Sequence, residues 1–124
     1  MVKALFDTNI LIDYLNAVPE SRTELQRYAD KAVSIITWME VMVGASDDLQ
    51  APTRNFLSGF DIVVVDEKIA ERAVNLRRSH RIKLPDAVIW ATAQVRAMLL
   101  VTRNTKDFPA DDPGVRAPYR LRRS

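Results

Sequence analysis

Four stretches of this sequence place a carboxylate where it could act on a ligand. Asp7 directly follows Val2-Lys3-Ala4-Leu5-Phe6, an apolar run that reads as a buried strand. In open parallel sheets, ligands bind beyond the carboxyl ends of the strands, so Asp7 is well placed, although a turn or cap residue looks the same in isolation. Glu40 lies in Trp38-Met39-Glu40-Val41-Met42-Val43, with apolar neighbours on both sides and no Arg or Lys within one turn. A helix apolar nearly all round is expected to be buried, and a carboxylate buried there is costly unless a cation compensates it; the plain alternative is one exposed polar stripe. Asp86 follows Pro85 in the first turn of a helix, where the macrodipole favours an ionised carboxylate. The rest of that helix, with small Ala87, Ala91 and Ala93 among Val88, Ile89 and Trp90, predicts close, deep packing. The fourth stretch, Thr102-Arg103-Asn104-Thr105-Lys106-Asp107-Phe108, brings hydroxyls, an amide and a carboxylate to the end of another strand.

Together these residues offer oxygen ligands after two strands and near the starts of two helices. Oxygen-only sites select hard cations, Mg²⁺ or Mn²⁺, which activate water and stabilise charge on a phosphodiester undergoing displacement. The chain has no cysteine and a single histidine, His80. Thiolate metal sites, disulfides, His₃ zinc and HExxH zinc are thereby excluded, and a metal-activated water is the most economical nucleophile. Absence of cysteine also fits a reducing cytosol.

The elements that must position these residues follow from periodicity and punctuation. Thr8 or Asn9 can cap a helix carrying Ile10, Leu11, Tyr14 and Leu15 on one face, and Pro19 opens a second helix through Tyr28. Residues 32–36 read as a strand, with Thr37 capping the helix that ends near Gly44. A helix follows Pro52, and Asp61-Ile62-Val63-Val64-Val65 is the clearest strand because β-branched residues dominate it. An amphipathic helix spans residues 67–78 with Ile69, Ala70, Ala73 and Leu76 inward; a helix spans 86–98 and a strand 99–102. Apolar strands without alternation, alternating with helices, predict an α/β fold with a central parallel sheet covered on both faces.

The 124 residues suit one domain, and 48% hydrophobic content supports a core. From about residue 110 the chain becomes a basic, Pro/Arg-rich tail, expected to be partly irregular and loosely held. No apolar run is long enough to cross a membrane and no signal-peptide core is present, so a cytoplasmic protein without a membrane partner is expected. The net charge of +2 hides an asymmetry. Residues 1–62 carry 5 Lys/Arg against 9 Asp/Glu, and residues 63–124 carry 13 against 7. The basic half offers phosphate neutralisation through Arg103 and Lys106 first, then Arg77, Arg78, Arg81 and Lys83; a solvated helix face is the plain alternative for the last four.

Phe6-Asp7-Thr8-Asn9-Ile10-Leu11-Ile12, Ser34–Glu40, Leu84–Ala93 and Leu100–Phe108, in that order, resemble the PIN domains, and within them the VapC-like toxins. The resemblance implies a three-layer α/β/α Rossmann-like fold over one domain, an acidic Mg²⁺ or Mn²⁺ site, cleavage of RNA, a homodimer and a cognate antitoxin. It places Asp7, Glu40 and Asp86 on the family's three main acidic positions. The fourth position falls on Asn104, an amide here, and Asp107 three residues later is the alternative source of charge; one-metal and two-metal mechanisms both remain open. Three other readings compete. A non-catalytic PIN-like subunit of a DNA-binding regulatory complex gains nothing from clustered carboxylates. A phosphoaspartyl phosphatase would expect an acid where Asn9 stands. DNA as the substrate is excluded by no feature of the sequence.

Overall fold

The computed structural model describes residues 2–121. Five short strands, β1 (Ala4–Phe6), β2 (Lys31–Ser34), β3 (Asp61–Val63), β4 (Leu99–Val101) and β5 (Val115–Arg116), form one sheet in the order β3-β2-β1-β4-β5. Every neighbouring pair is parallel, with Leu5 opposite Ala32 on one side and Leu100 on the other. Between them run α1 (Thr8–Leu15), α2 (Pro19–Gln26), α3 (Ile35–Gly44), α4 (Gln50–Leu57), α5 (Glu67–His80) and α6 (Leu84–Val95).

Strand side chains alternate between two cores, and this alternation creates the three layers. Leu5, Ala32 and Leu100 face Ile69, Ala73 and Leu76 of α5 and Ala87 to Ala93 of α6. Ala4, Phe6, Val33 and Val101 face Ile10 and Leu11 of α1, Leu25 of α2, Val41 and Met42 of α3 and Leu57 of α4. Both faces are covered, so strands with no polar side are stable here. From β1 the chain steps to β2 and β3 on one side, then crosses to β4 and β5 on the other. The reversal point lies between the carboxyl ends of β1 and β4, where the Asp7 amide donates to the Val101 carbonyl at 2.9 Å. Such a switch point opens a crevice in a parallel sheet.

Several boundaries differ from the sequence expectation. The second strand stops at Ser34, whose hydroxyl caps α3 by accepting from the Ile36 amide at 3.1 Å, so Thr37 is an interior helix residue and not the cap. Asp7 itself, not Thr8 or Asn9, caps α1. The β-branched run at 61–65 is an edge strand of three residues, and Ile62, Val64 and Val65 are exposed because only β2 pairs with it. The largest correction is the tail. Residues 115–116 complete the sheet, Val115 is buried, and Arg116 grips the buried Glu24 with two bonds of 2.7 and 3.0 Å. The tail is held because two carboxylates on the amino-terminal helices await it; its last three residues lie outside the described ones. No helix among the described residues is long and apolar enough to cross a membrane.

Candidate functional site

The site is built at the switch point. Asp7 ends β1 and turns the chain into α1, so its side chain is pinned beside the sheet and only 4% exposed. One carboxylate oxygen accepts from the Thr8 amide at 2.8 Å; the other accepts from the Thr102 hydroxyl at 2.8 Å and the Asn9 amide at 3.1 Å. All three donors are neutral. Hydrogen bonds from Thr102 and Thr8 favour the ionised form, but burial outweighs them, and Asp86 and Glu40 add repulsion, so the Asp7 pKa rises to about 6.

Glu40 reaches the site from α3. Thr37 and Glu40 are three residues apart and share one helix face, and both meet the Thr8 hydroxyl, at 3.0 and 2.6 Å. The single Thr8 proton goes to the carboxylate, so Thr37 must supply the proton of the 3.0 Å contact. Glu40 is exposed, against the expectation of a buried carboxylate, because α3 lies over the sheet with only part of its surface. Met39 and Val43 are exposed as well, Val43 by 86%. An apolar helix was a correct reading of composition and a wrong guide to burial.

Asp86 stands in the first turn of α6, half-buried. The helix start favours its ionised form, yet its pKa is raised: burial acts first, then repulsion from Asp107 and Glu40, with Lys83 pulling only weakly the other way. Asp107 lies on the loop after β4, where Phe108 fixes it by inserting fully into the core against Trp90, with ring centres 5.8 Å apart. Asn104 holds the same carboxylate: its amide donates to Asp107 at 3.0 Å and its carbonyl oxygen accepts the Asp107 amide at 3.2 Å. Between the two candidates for the fourth position, Asn104 thus spends its side chain on Asp107.

Carboxylates from four segments are therefore linked electrostatically at this end of the sheet: Asp86 and Glu40 act on Asp7, and Asp107 and Glu40 act on Asp86. The family model described as PIN domain matches residues 4–110. This chain belongs to the PIN domain family. The chain is 33% identical over 113 residues to Ribonuclease VapC10 of Mycobacterium tuberculosis (strain CDC 1551 / Oshkosh), covering 85% of each protein. It is 31% identical over 121 residues to the tRNA(fMet)-specific endonuclease VapC of Shigella flexneri, covering 87% of this chain and 91% of the relative. Among solved structures it is similar to a toxin-antitoxin complex from Klebsiella pneumoniae, with 51% identity and a TM-score of 0.90 over 96% of this chain and 100% of that one.

In this PIN domain the acidic end is not neutralised from within. Among the described residues, none of Asp7, Glu40, Asp86 or Asp107 forms an ion pair within 4 Å. Equally, no three of the described acidic or histidine side chains stand as a ready-made ligand cage. This donor set, of spaced hard oxygens, fits an ion held by one or two carboxylates with water completing its shell, the ordinary habit of Mg²⁺.

The expected basic residues separate into two groups. Arg103 turns inward, its guanidinium gripping Asp13 at 2.6 and 3.0 Å, and Arg77, though exposed, spends its guanidinium on the Ile82 carbonyl at 2.6 Å. Lys106, Arg78, Arg81 and Lys83 are exposed, Lys106 on the same loop as Asp107. Sequence reasoning missed Thr8, Asn9 and Thr102 as the donors that orient the carboxylates, although Thr8 and Thr102 flank strand ends. It also missed Asp13, whose signal was legible: a lone acid in Ile10-Leu11-Ile12-Asp13-Tyr14-Leu15.

Proposed function

We propose that this PIN domain is a Mg²⁺- or Mn²⁺-dependent endoribonuclease acting in the cytoplasm as the toxin of a toxin–antitoxin pair. The carrying observation is Asp7: a buried carboxylate with only neutral donors, facing two further acids at the switch point of a parallel sheet. The names of the VapC relatives and of the Klebsiella complex support the same reading. Asp7 and Asp86 would hold the ion, with Glu40 nearby to orient its water, and Asp107 would supply the fourth negative charge with Asn104 fixing its position. When bound, the ion supplies a water acidic enough to lose its proton near neutral pH and a counter-charge for the phosphodiester oxygens. The hydroxyls of Thr8 and Thr102 aim Glu40 and Asp7. Lys106 leads the contacts to the RNA backbone, with Lys83, Arg78 and Arg81 around it; Arg103 and Arg77 already have internal partners.

The partner follows from what the core leaves uncovered. Leu15, Met39, Val43 and Leu49 are exposed, and Ile12, Leu15, Val41, Leu49 and Pro52 line a cavity of about 360 Å³ between α1, α3 and α4. An antitoxin segment would bury these apolar groups and bring a basic side chain toward the carboxylates, and apolar surface that it leaves uncovered would serve a homodimer. The competing reading, a non-catalytic subunit of a DNA-binding regulatory complex, has in its favour the lack of a ready-made ligand cage among the described residues. The partner-free protein incubated with RNA, tRNA included, decides between them. Cleavage that needs Mg²⁺ or Mn²⁺, stops with a chelator and disappears in Asp7→Asn supports the nuclease. No cleavage under any of these conditions, or cleavage indifferent to chelator and to Asp7, overturns it.

A further inference from the structure

Asp13 is the only acid within α1, and it faces inward at 4% exposure. Burial of a carboxylate demands strong partners, and Asp13 has three donors. Arg103 supplies two, Nε at 2.6 Å and Nη2 at 3.0 Å, and the Tyr119 hydroxyl supplies the third at 2.7 Å. Tyr119 comes from the carboxyl-terminal segment, 106 residues away in sequence. That segment is anchored just upstream by the β5 ladder, where Thr102 donates its amide to the Arg116 carbonyl at 3.0 Å, and by the Arg116–Glu24 pair.

Arg103 sits between two residues that serve the acidic site. Thr102 before it donates to Asp7, and its hydroxyl oxygen accepts the Asn104 amide at 3.0 Å. Asn104 after it holds Asp107. The Arg103 amide itself donates at 3.2 Å to Asn9, whose own amide bonds Asp7. One residue thus has its side chain in a buried tether and its backbone in the network that orients two of the four carboxylates.

We propose that Tyr119, Asp13 and Arg103 form a positioning latch by which the carboxyl-terminal segment locks the loop after β4 and so sets Asp107 and Thr102 against Asp7. The latch touches neither RNA nor ion, and its consequence for the site rests on the metal-centre reading above. It gives the far end of the chain control over ion affinity. A guanidinium fork is required, since a lysine keeps the charge but cannot bond both carboxylate oxygens in one plane.

Tyr119→Phe removes one hydroxyl and leaves the ring; Arg103→Lys removes the fork and leaves the charge. Both are compared with the parent by amide hydrogen exchange without metal and by Mn²⁺ affinity measured by electron paramagnetic resonance. The latch predicts that the amides of Arg103, Asn104 and Asp107 exchange about tenfold faster in each variant, while amides within α5 and α6 keep their rates. Mn²⁺ affinity should fall by about tenfold or less, below the usual loss for a residue bonded directly to a ligand. Loop exchange that stays at the parent rate, or that rises equally across all elements, overturns the latch. Faster loop exchange with unchanged Mn²⁺ affinity overturns its role in the site. A parent that takes up no Mn²⁺ overturns the metal reading instead, and the exchange pattern still decides the lock on the loop.

Discussion

At the scale of single residues, the chemistry depends on a conflict that folding creates at Asp7. The sheet forces this carboxylate out of water, and the three neutral donors around it offset only part of the cost. Its pKa near 6 lies above the ordinary carboxylate value, so between about pH 4 and 6 the folded protein binds more protons than the unfolded chain. The metal-free protein therefore loses stability as pH rises through that window, by roughly 2–3 kcal/mol from this group. Asp7→Asn removes the charge but places an amide opposite the donor of Asn9, at a cost of about 1 kcal/mol. Urea unfolding at pH 7.5 without metal should show Asp7→Asn equal to the parent or up to about 2 kcal/mol more stable, with the gain gone near pH 4 and activity abolished throughout. A variant markedly less stable at pH 7.5 would make Asp7 a structural residue. Lys106 and Arg103, neighbours on one loop, should separate as cleanly. Lys106→Gln should flatten the salt dependence of RNA binding by about one unit or less without changing the melting temperature. Arg103→Gln should lower the melting temperature, because it leaves Asp13 buried without its cation. Identical behaviour of the two variants would contradict the internal placement of Arg103.

At the scale of elements, Asp7 is positioned by the end of a strand, Asp86 by the start of a helix, Glu40 by the phase of α3 and Asp107 by the loop after β4. Ser34 ends β2 and caps α3, which sets the helix phase that brings Thr37 and Glu40 to Thr8. Ser34→Ala should cost about 1 kcal/mol in denaturant unfolding, the usual value of a lost cap, and should reduce activity beyond what that loss explains. An unchanged midpoint would show that α3 is held by packing alone. The same elements show what the sequence made legible. Strand and helix order, the parallel sheet and the exit positions of Asp7 and Thr102 were readable, since they follow from apolar runs and their breaks. Burial of Glu40 was misjudged because periodicity reports the composition of a helix and not how much of it the sheet covers. A two-residue strand such as β5 has no period at all. Its partner Glu24 lies 92 residues from Arg116, and Asp13 lies 90 residues from Arg103, a loop arginine that only folding brings near. The donors Thr8, Asn9 and Thr102 were hidden for a related reason: small polar residues at strand ends read equally well as caps.

At the scale of the whole molecule, an acidic amino-terminal half and a basic carboxyl-terminal half meet at the switch point. The first half contributes Asp7 and Glu40 to the site, and the second contributes Asp86 and Asp107, with Lys83 acting on Asp86 and Lys106 next to Asp107 in the chain. In the proposed nuclease this arrangement would suit a polyanion approaching a negatively charged centre: the exposed Lys106, Lys83, Arg78 and Arg81 would attract the backbone, and a divalent ion would offset the repulsion at the point of cleavage. The proposed chemistry therefore depends on where a divalent ion binds. A crystal structure of the partner-free protein soaked in Mn²⁺, with the ion located by its anomalous scattering, tests this most directly. The predicted result is a peak at the carboxyl ends of β1 and β4, with oxygens of Asp7 and Asp86 about 2.1 Å away and water filling the remaining positions. Saturating Mn²⁺ with no peak at Asp7, in protein that still cleaves RNA, would contradict the account.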